Sequence, residues 1–230
     1  VAEQVGRSLG QGVDMTVGAV AGVGRFATGA VHRSVSSLLH ARPFDLPLGL
    51  KQRQQPGAAP GLSAHELAAM PAGDQPVSVE VFGYGVDGCR RDTYEDASEL
   101  GAVLDAELDQ TRPLRWININ GLSDPQALAK VASAYHVHPL ALEDVIHVGQ
   151  RPKMELFAAV EGQPDAVRIY AVIKQIHATQ HGLEPEQLSL FLGPNVVITV
   201  QERPGDLFDG IRERLERDGS RLREADASFL

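Results

Sequence analysis

Two adjacent carboxylates, Glu143 and Asp144, sit in the segment HPLALEDVIHVGQRPK, residues 138–153, and are the side chains best placed to do chemistry. Neighbouring carboxylates on a short helix offer hard oxygen ligands, which suit Mg²⁺ and similar divalent cations. On a helix they project about 100° apart, so both cannot face the core. His147 lies one turn beyond Glu143 and could lend a nitrogen to the same face. The plain alternative for Glu143 and Asp144 is a pair of solvated surface acids.

Other chemistries find less support. Gly83, Gly85 and Gly88 match G-x-G-x-x-G, the phosphate-binding turn of dinucleotide folds, which needs a helix opening on the third glycine. Here Gly88 leads instead into CRRDTY, which alternates like a returning strand, so a hairpin turn is expected. His136, His138 and His147 lack the four-residue spacing around a glutamate that a zinc helix uses. Ser63, Ser123 and Ser189 lack the surroundings of a nucleophile elbow. No catalytic residue is expected, and the chain reads as a non-enzyme.

The acid pair must be held by a rigid frame, and the sequence supplies one. Pro139 suits the first helical turn. Leu140, Leu142, Val145 and Ile146 form an apolar stripe. Gly149 stops the helix and Pro152 prevents its resumption. From Val77 onward the chain reads as an α/β domain. Strands are expected at 77–84, 89–94, 115–118, 153–160, 167–177, 187–192 and 196–201. Helices are expected at 97–108 and from Asp124, a capping residue followed by Pro125, to about Tyr135. The helix over 207–217 interleaves Arg212, Arg214 and Arg217 with Glu213 and Glu216, a pattern typical of a solvated face. A further helix is expected to begin at 223–230.

Ahead of this domain, residues 1–76 read as an extension and linker. Gly6, Gly10, Gly18 and Gly22 weaken any helix in the first fifty residues, and Pro56, Pro60, Pro71 and Pro76 punctuate the rest around one short helix near 63–70. Residues 1–60 carry six Lys/Arg against three Asp/Glu, and the remainder carries fifteen against twenty-seven. An acidic body with a net charge of −9 argues against a nucleic-acid partner and suits attraction of cations. Cys89 is the single cysteine, so neither an intramolecular disulfide nor a thiolate cluster can form. No run reaches the roughly 18 apolar residues of a membrane-spanning helix, and the chain as given is expected to be soluble.

Taken in order, WININGL from Trp116, the segment 138–153, YAVIK from Tyr170, EQLSLFL from Glu186, VITVQE from Val197, GDLFD from Gly205 and IRERL from Ile211 resemble the cytoplasmic domain of CorA-type magnesium transporters. The resemblance runs from about Val77 to Leu230, with residues 77–222 as the regulatory domain and 223–230 as the start of a stalk helix. It implies an α/β/α sandwich with a mixed, largely antiparallel sheet. It also implies a homopentameric Mg²⁺ channel that can pass Co²⁺, with this portion on the cytoplasmic side of the inner membrane. The pore helices and their Gly-Met-Asn signature are not in this sequence.

In that family the acidic pair of the L-E-D motif holds regulatory metal between protomers, which implies Glu143 and Asp144 as ligands here, with His147 as a third candidate. Some members place a histidine where this chain has Gly149. Two rival functions stay open on the sequence: a zinc transporter of the ZntB type with the same architecture, and a stand-alone enzyme using Glu143 and Asp144 as acid and base.

Overall fold

Alternation of apolar and polar residues, and paired turn glycines, build a seven-stranded mixed sheet in the computed structural model, which describes residues 60–106, 110–158, 162–163, 166–179, 182–224 and 226–230. The expectations for residues 1–59 lie outside the described residues. Compactness divides the chain into two units, 46–176 with 185–230 and 1–45 with 177–184. The second contributes to the description only the ends of two strands, at 177–179 and 182–184. The first holds the helices and the rest of the sheet.

The strands are β1 (Ser78–Gly85), β2 (Gly88–Tyr94), β3 (Leu114–Asn120), β4 (Lys153–Leu156), β5 (Ile169–Thr179), β6 (Gly182–Leu192) and β7 (Val196–Gln201). Their order across the sheet is β2-β1-β3-β7-β6-β5-β4. β1 pairs antiparallel with both β2 and β3, β6 with β7, and β4 with β5, while β3 and β7 run parallel. The helices are α1 (Ala64–Ala68), α2 (Ala97–Asp105), α3 (Pro125–Ala134), α4 (Pro139–Ile146) and α5 (Asp209–Glu216).

Strand periodicity sorts the side chains onto two faces. Val79 and Val81 of β1, Ile117 and Ile119 of β3, and Ile198 and Val200 of β7 pack under α1 to α4. Phe82, Trp116 and Val197 face the other way and meet Leu215 of α5 together with Leu222 and Ala227. Helices thus cover both faces of a mixed, largely antiparallel sheet, the α/β/α sandwich the resemblance implied.

Local signals explain most boundaries. Asp124 accepts from the N–H groups of Gln126 and Ala127 at 2.9 and 3.0 Å, and Pro125 occupies the first turn of α3. Ser63 and Glu66 form a reciprocal capping box on α1. Leu67 of α1 is fully buried in the main core, with Leu62 and Met70 packed against it. β6 begins before Pro185, earlier than its sequence suggests. Leu188 is its first residue paired with β7, so no β7 partner needs the N–H that proline lacks. Where a helix is expected at the end of the chain, two 3-10 turns form at Arg221–Arg223 and Ala227–Phe229. Ser220 and Asp226 accept from the N–H groups two residues on, which favours tight turns over a continuing helix.

The glycine-rich turn is the hairpin expected from its returning strand. Gly85 pairs with Gly88 across it, and Gly88 adopts φ +140°. Gly85 is required for a different reason. A methyl group there would stand 2.5 Å from the Thr111 carbonyl oxygen and 2.8 Å from Pro113 Cδ. Gly85→Ala should therefore lower stability by about 1–3 kcal/mol, whereas Gly83→Ala, with open space around it, should stay within about 0.5 kcal/mol. Urea midpoints of the two variants check this.

Candidate metal centre

The helix that carries the acid pair is fixed from three directions. Ala141, Leu142, Val145 and Ile146 are buried in the main core and orient its inner face. At its start, His138 Nδ1 accepts from the Leu140 N–H at 3.2 Å, and the His138 ring stacks on Phe157 at 4.5 Å. At its end, the buried Gln187 side chain of β6 ties down both the helix and the loop after it. Its Nε2 donates to the Asp144 carbonyl at 3.0 Å, and its Oε1 accepts from the N–H groups of Gly149 and Gln150 at 3.0 Å each. The helix ends at Ile146, with His147 as its cap and Gly149 at φ +100° shortly after.

On this frame the carboxylates turn to different neighbours. Glu143 Oε2 accepts from the Gly61 N–H at 2.8 Å, while the Leu62 N–H donates to the Pro139 carbonyl at 3.0 Å. Gly61 needs its glycine, because it adopts φ +102° and a Cβ there would meet Pro139 Cβ at 3.0 Å. Asp144 Oδ2 accepts instead from Lys153 Nζ at 2.6 Å. The same ammonium donates to Glu155 Oε1 at 2.8 Å and lies 5.8 Å from the centre of the Tyr170 ring. The hydrogen bonds to Asp144, foremost, and to Glu155 hold the Lys153 amine above its ordinary pKa. Burial pushes the Tyr170 hydroxyl up to about 12.

His147 Nδ1 lies 3.0 Å from the Glu143 carbonyl oxygen and 4.0 Å from Glu143 Oε1. The structure therefore brings Glu143 and His147 together and sends Asp144 to the side of β4. Among the described residues no three His, Cys, Asp or Glu side chains converge as a complete metal cage. The donor chemistry nonetheless fits a hard cation. Asp144 and Glu155 converge oxygen atoms on the Lys153 ammonium, and all three side chains are partly exposed.

Gly61 and Gln187 are positioning residues that sequence reasoning did not single out. A signal for Gln187 existed: it shares a strand face with Ser189 and Phe191, where an apolar residue is expected. Alternation alone marks it as a polar group with a job inside the fold.

A second polar cluster lies on the opposite face of the sheet, under α5. Arg212, expected on a solvated helix face, is buried there. Its Nη2 donates to Glu80 Oε2 at 2.5 Å and to Asp206 Oδ2, and its Nη1 to Asp206 Oδ1 at 2.6 Å and Asp209 Oδ1 at 3.0 Å. The guanidinium lies 5.7 Å from the Trp116 ring centre. Asn118 donates to Glu80 and Asp206 at 3.0 and 2.8 Å and accepts from Thr199 and Gln201. Arg91 pairs with Glu80 from the exposed side. Burial acts to raise the Asp206 pKa, but the hydrogen bonds from Arg212, the Phe208 N–H, Gln201 and Asn118 outweigh it and bring the carboxyl down to about 2. Glu80 is likewise held low against its burial by Asn118, Arg212 and Arg91. Glu80 and Asp206 are already matched by donors, so the cluster serves structure.

Residues 112–230 match the family model described as CorA-like Mg²⁺ transporter protein. The cobalt/magnesium transport protein CorA of Thermotoga maritima is 32% identical over 154 residues, covering 66% of this chain and 40% of that protein. The solved full-length CmaX protein is similar at a TM-score of 0.48 and 17% identity, over 68% of this chain and 43% of that one. The ZntB cytoplasmic domain from Vibrio parahaemolyticus is similar at a TM-score of 0.41 and 14% identity, over 64% of this chain and 50% of that one. The chain thus spans half or less of the length of each of these relatives. No helix among the described residues is long and apolar enough to cross a membrane.

Proposed function

The chain belongs to the CorA-like Mg²⁺ transporter family, and from that premise we propose that it is the cytoplasmic regulatory part of a homopentameric Mg²⁺ channel, able to pass Co²⁺, with α4 as its metal sensor. One observation carries the reading. Asp144 stands on a helix locked by the core and by Gln187, and its carboxylate already engages a cation at a partly exposed edge.

In this reading Asp144 supplies one side of a weak site and acids of a neighbouring protomer the other, with Glu143 as a further ligand from the flank of α4 that faces Gly61. Mg²⁺ keeps several of its waters, so one or two carboxylates from each side are enough. Facing carboxylates about 5 Å apart repel by roughly 3 kcal/mol at an effective dielectric near 20, and a shared divalent cation reverses that sign. Shifting a two-state gate from mostly open to mostly closed takes about 5.5 kcal/mol. Five symmetric sites, each favouring the closed state by about tenfold, provide this without any one of them binding tightly. His147 contributes less, because Mg²⁺ prefers oxygen ligands and the ring already sits against the Glu143 carbonyl.

The test is Asp144→Ala in the longer protein that contains this domain, with channel current or Mg²⁺ uptake read against internal Mg²⁺. The variant should stay conductive at millimolar internal Mg²⁺ that closes the parent. Unchanged inhibition of the variant would sink the assignment.

A further inference from the structure

We infer that Lys153 is a tethered cation that competes with divalent metal for the Asp144 carboxylate and so sets the concentration at which the sensor fills. This rests on the reading of α4 given above, since it concerns how that site is regulated.

The placement of Lys153 follows from the fold. β4 is an edge strand among the described residues, paired there with β5 in the register Lys153 to Val172 and Glu155 to Tyr170. Strand alternation puts Lys153 and Glu155 on the face toward α4 and sends Met154 and Leu156 to the other. The amine is therefore delivered to Asp144 by backbone pairing rather than by a freely swinging loop. It meets Asp144 at 2.6 Å, Glu155 at 2.8 Å and the face of Tyr170 at 5.8 Å. Such a charge-assisted contact is shorter and stronger than a hydrogen bond between neutral groups.

Asp144 cannot give the same oxygen fully to an ammonium and to a metal ion. Filling the site with Mg²⁺ must move Lys153 away from Asp144, and Glu155 gives the displaced ammonium a partner on the same strand. The exchange replaces the Lys153–Asp144 ion pair with the metal, while the Lys153–Glu155 pair already present is kept. It lowers the apparent affinity for metal without destroying the site, which suits a sensor working against a high resting cation concentration.

The experiment titrates the assembled longer protein that contains this domain with MgCl₂ at constant ionic strength and reads the α4 response as hydrogen-exchange protection of its amides. Lys153→Met and Lys153→Gln should each bring the titration midpoint to about tenfold lower Mg²⁺, as expected when a charged hydrogen-bond competitor is removed. Arg151→Gln removes the same charge two residues away and should shift the midpoint less than about twofold. Asp144→Asn should abolish the α4 response with or without Lys153. If both neutral Lys153 variants keep the parent midpoint while Asp144→Asn abolishes the response, the competition is overturned and the sensor reading stands. An equal shift from Arg151→Gln also overturns it, since the effect would then be general electrostatics. A response that survives Asp144→Asn overturns the sensor reading itself, and the inference with it.

Discussion

Arg212→Ala should cost about 3–5 kcal/mol of folding stability, the penalty typical of breaking a buried ion pair from one side. The guanidinium is enclosed by Glu80 and Asp206, bridges to Asp209 at the rim and lies over Trp116. Without it, two nearly inaccessible carboxylates would face each other across the space it fills. Arg91 and Asn118 would still serve Glu80, but Asp206 would lose its strongest partner. Trp116, which also packs edge-on against Phe208 at 5.5 Å, would lose the cation above it. Since small domains have about 5–15 kcal/mol in total, the loss would be a large share of what holds the fold. Lysine cannot reproduce the forked geometry, so Arg212→Lys should recover only part of the loss. Urea unfolding at pH 7 decides the matter, with the slope of the transition as a check that both states remain comparable. A loss under about 1 kcal/mol for alanine would show that α5 is held by Leu215 and Phe208 alone.

Arg212 reads as solvent-exposed in the sequence for a definite reason. Alternating arginine and glutamate over 211–217 is what an exposed helix face looks like, and Arg214 and Arg217 behave accordingly. Arg212 differs by its phase. It stands three residues before Leu215 and four after Phe208, which places it on the buried stripe of α5. The phase was legible, but its partners were not. Glu80 lies 132 residues away in sequence, on β1, and it reaches Arg212 only because β1, β3 and β7 lie side by side. That arrangement includes a parallel β3–β7 pairing no local pattern announces. Asn118 is a parallel case. An asparagine inside the fully buried strand LRWININ signals a polar interior, yet nothing in the strand says it joins Glu80, Asp206, Thr199 and Gln201.

The candidate metal centre divides the same way. The capped helix, its apolar stripe, the loop glycine and the two acids all follow from local chemistry. Lys153 is visible as a basic residue opening a strand, but its contact with Asp144 depends on α4 lying over the β4 edge of the sheet. The clasp of Gly61 on Glu143 spans 82 residues, and the Gln187 tie to Asp144 spans 43. Local propensity makes the elements; long-range register makes the site.

Acid should dismantle the cluster under α5, and Asp206 sets where. Its carboxyl titrates near 2 in the folded protein against about 3.9 in an unfolded chain. A carboxylate lowered in this way contributes stability that is fully present above its unfolded pKa. The contribution is lost progressively as pH falls from about 4 toward 2, because the unfolded chain takes up the proton first. The difference corresponds to about 2–3 kcal/mol for Asp206, and it is not screened away, since the side chain is only 3% exposed. Glu80, also held below its ordinary range, adds to the same acid limb. Asp206→Asn keeps the shape and some hydrogen bonds but removes the charge that Arg212 needs. At pH 7 it should cost about 3 kcal/mol or more. Between pH 4 and 2 its stability should fall less steeply than the parent's, because the titrating group is gone, so the two curves converge toward the acid end. Denaturant unfolding of both proteins across that range measures this. Parallel curves would show that the Asp206 carboxyl takes up its proton at the same pH in both states and would place the acid sensitivity elsewhere.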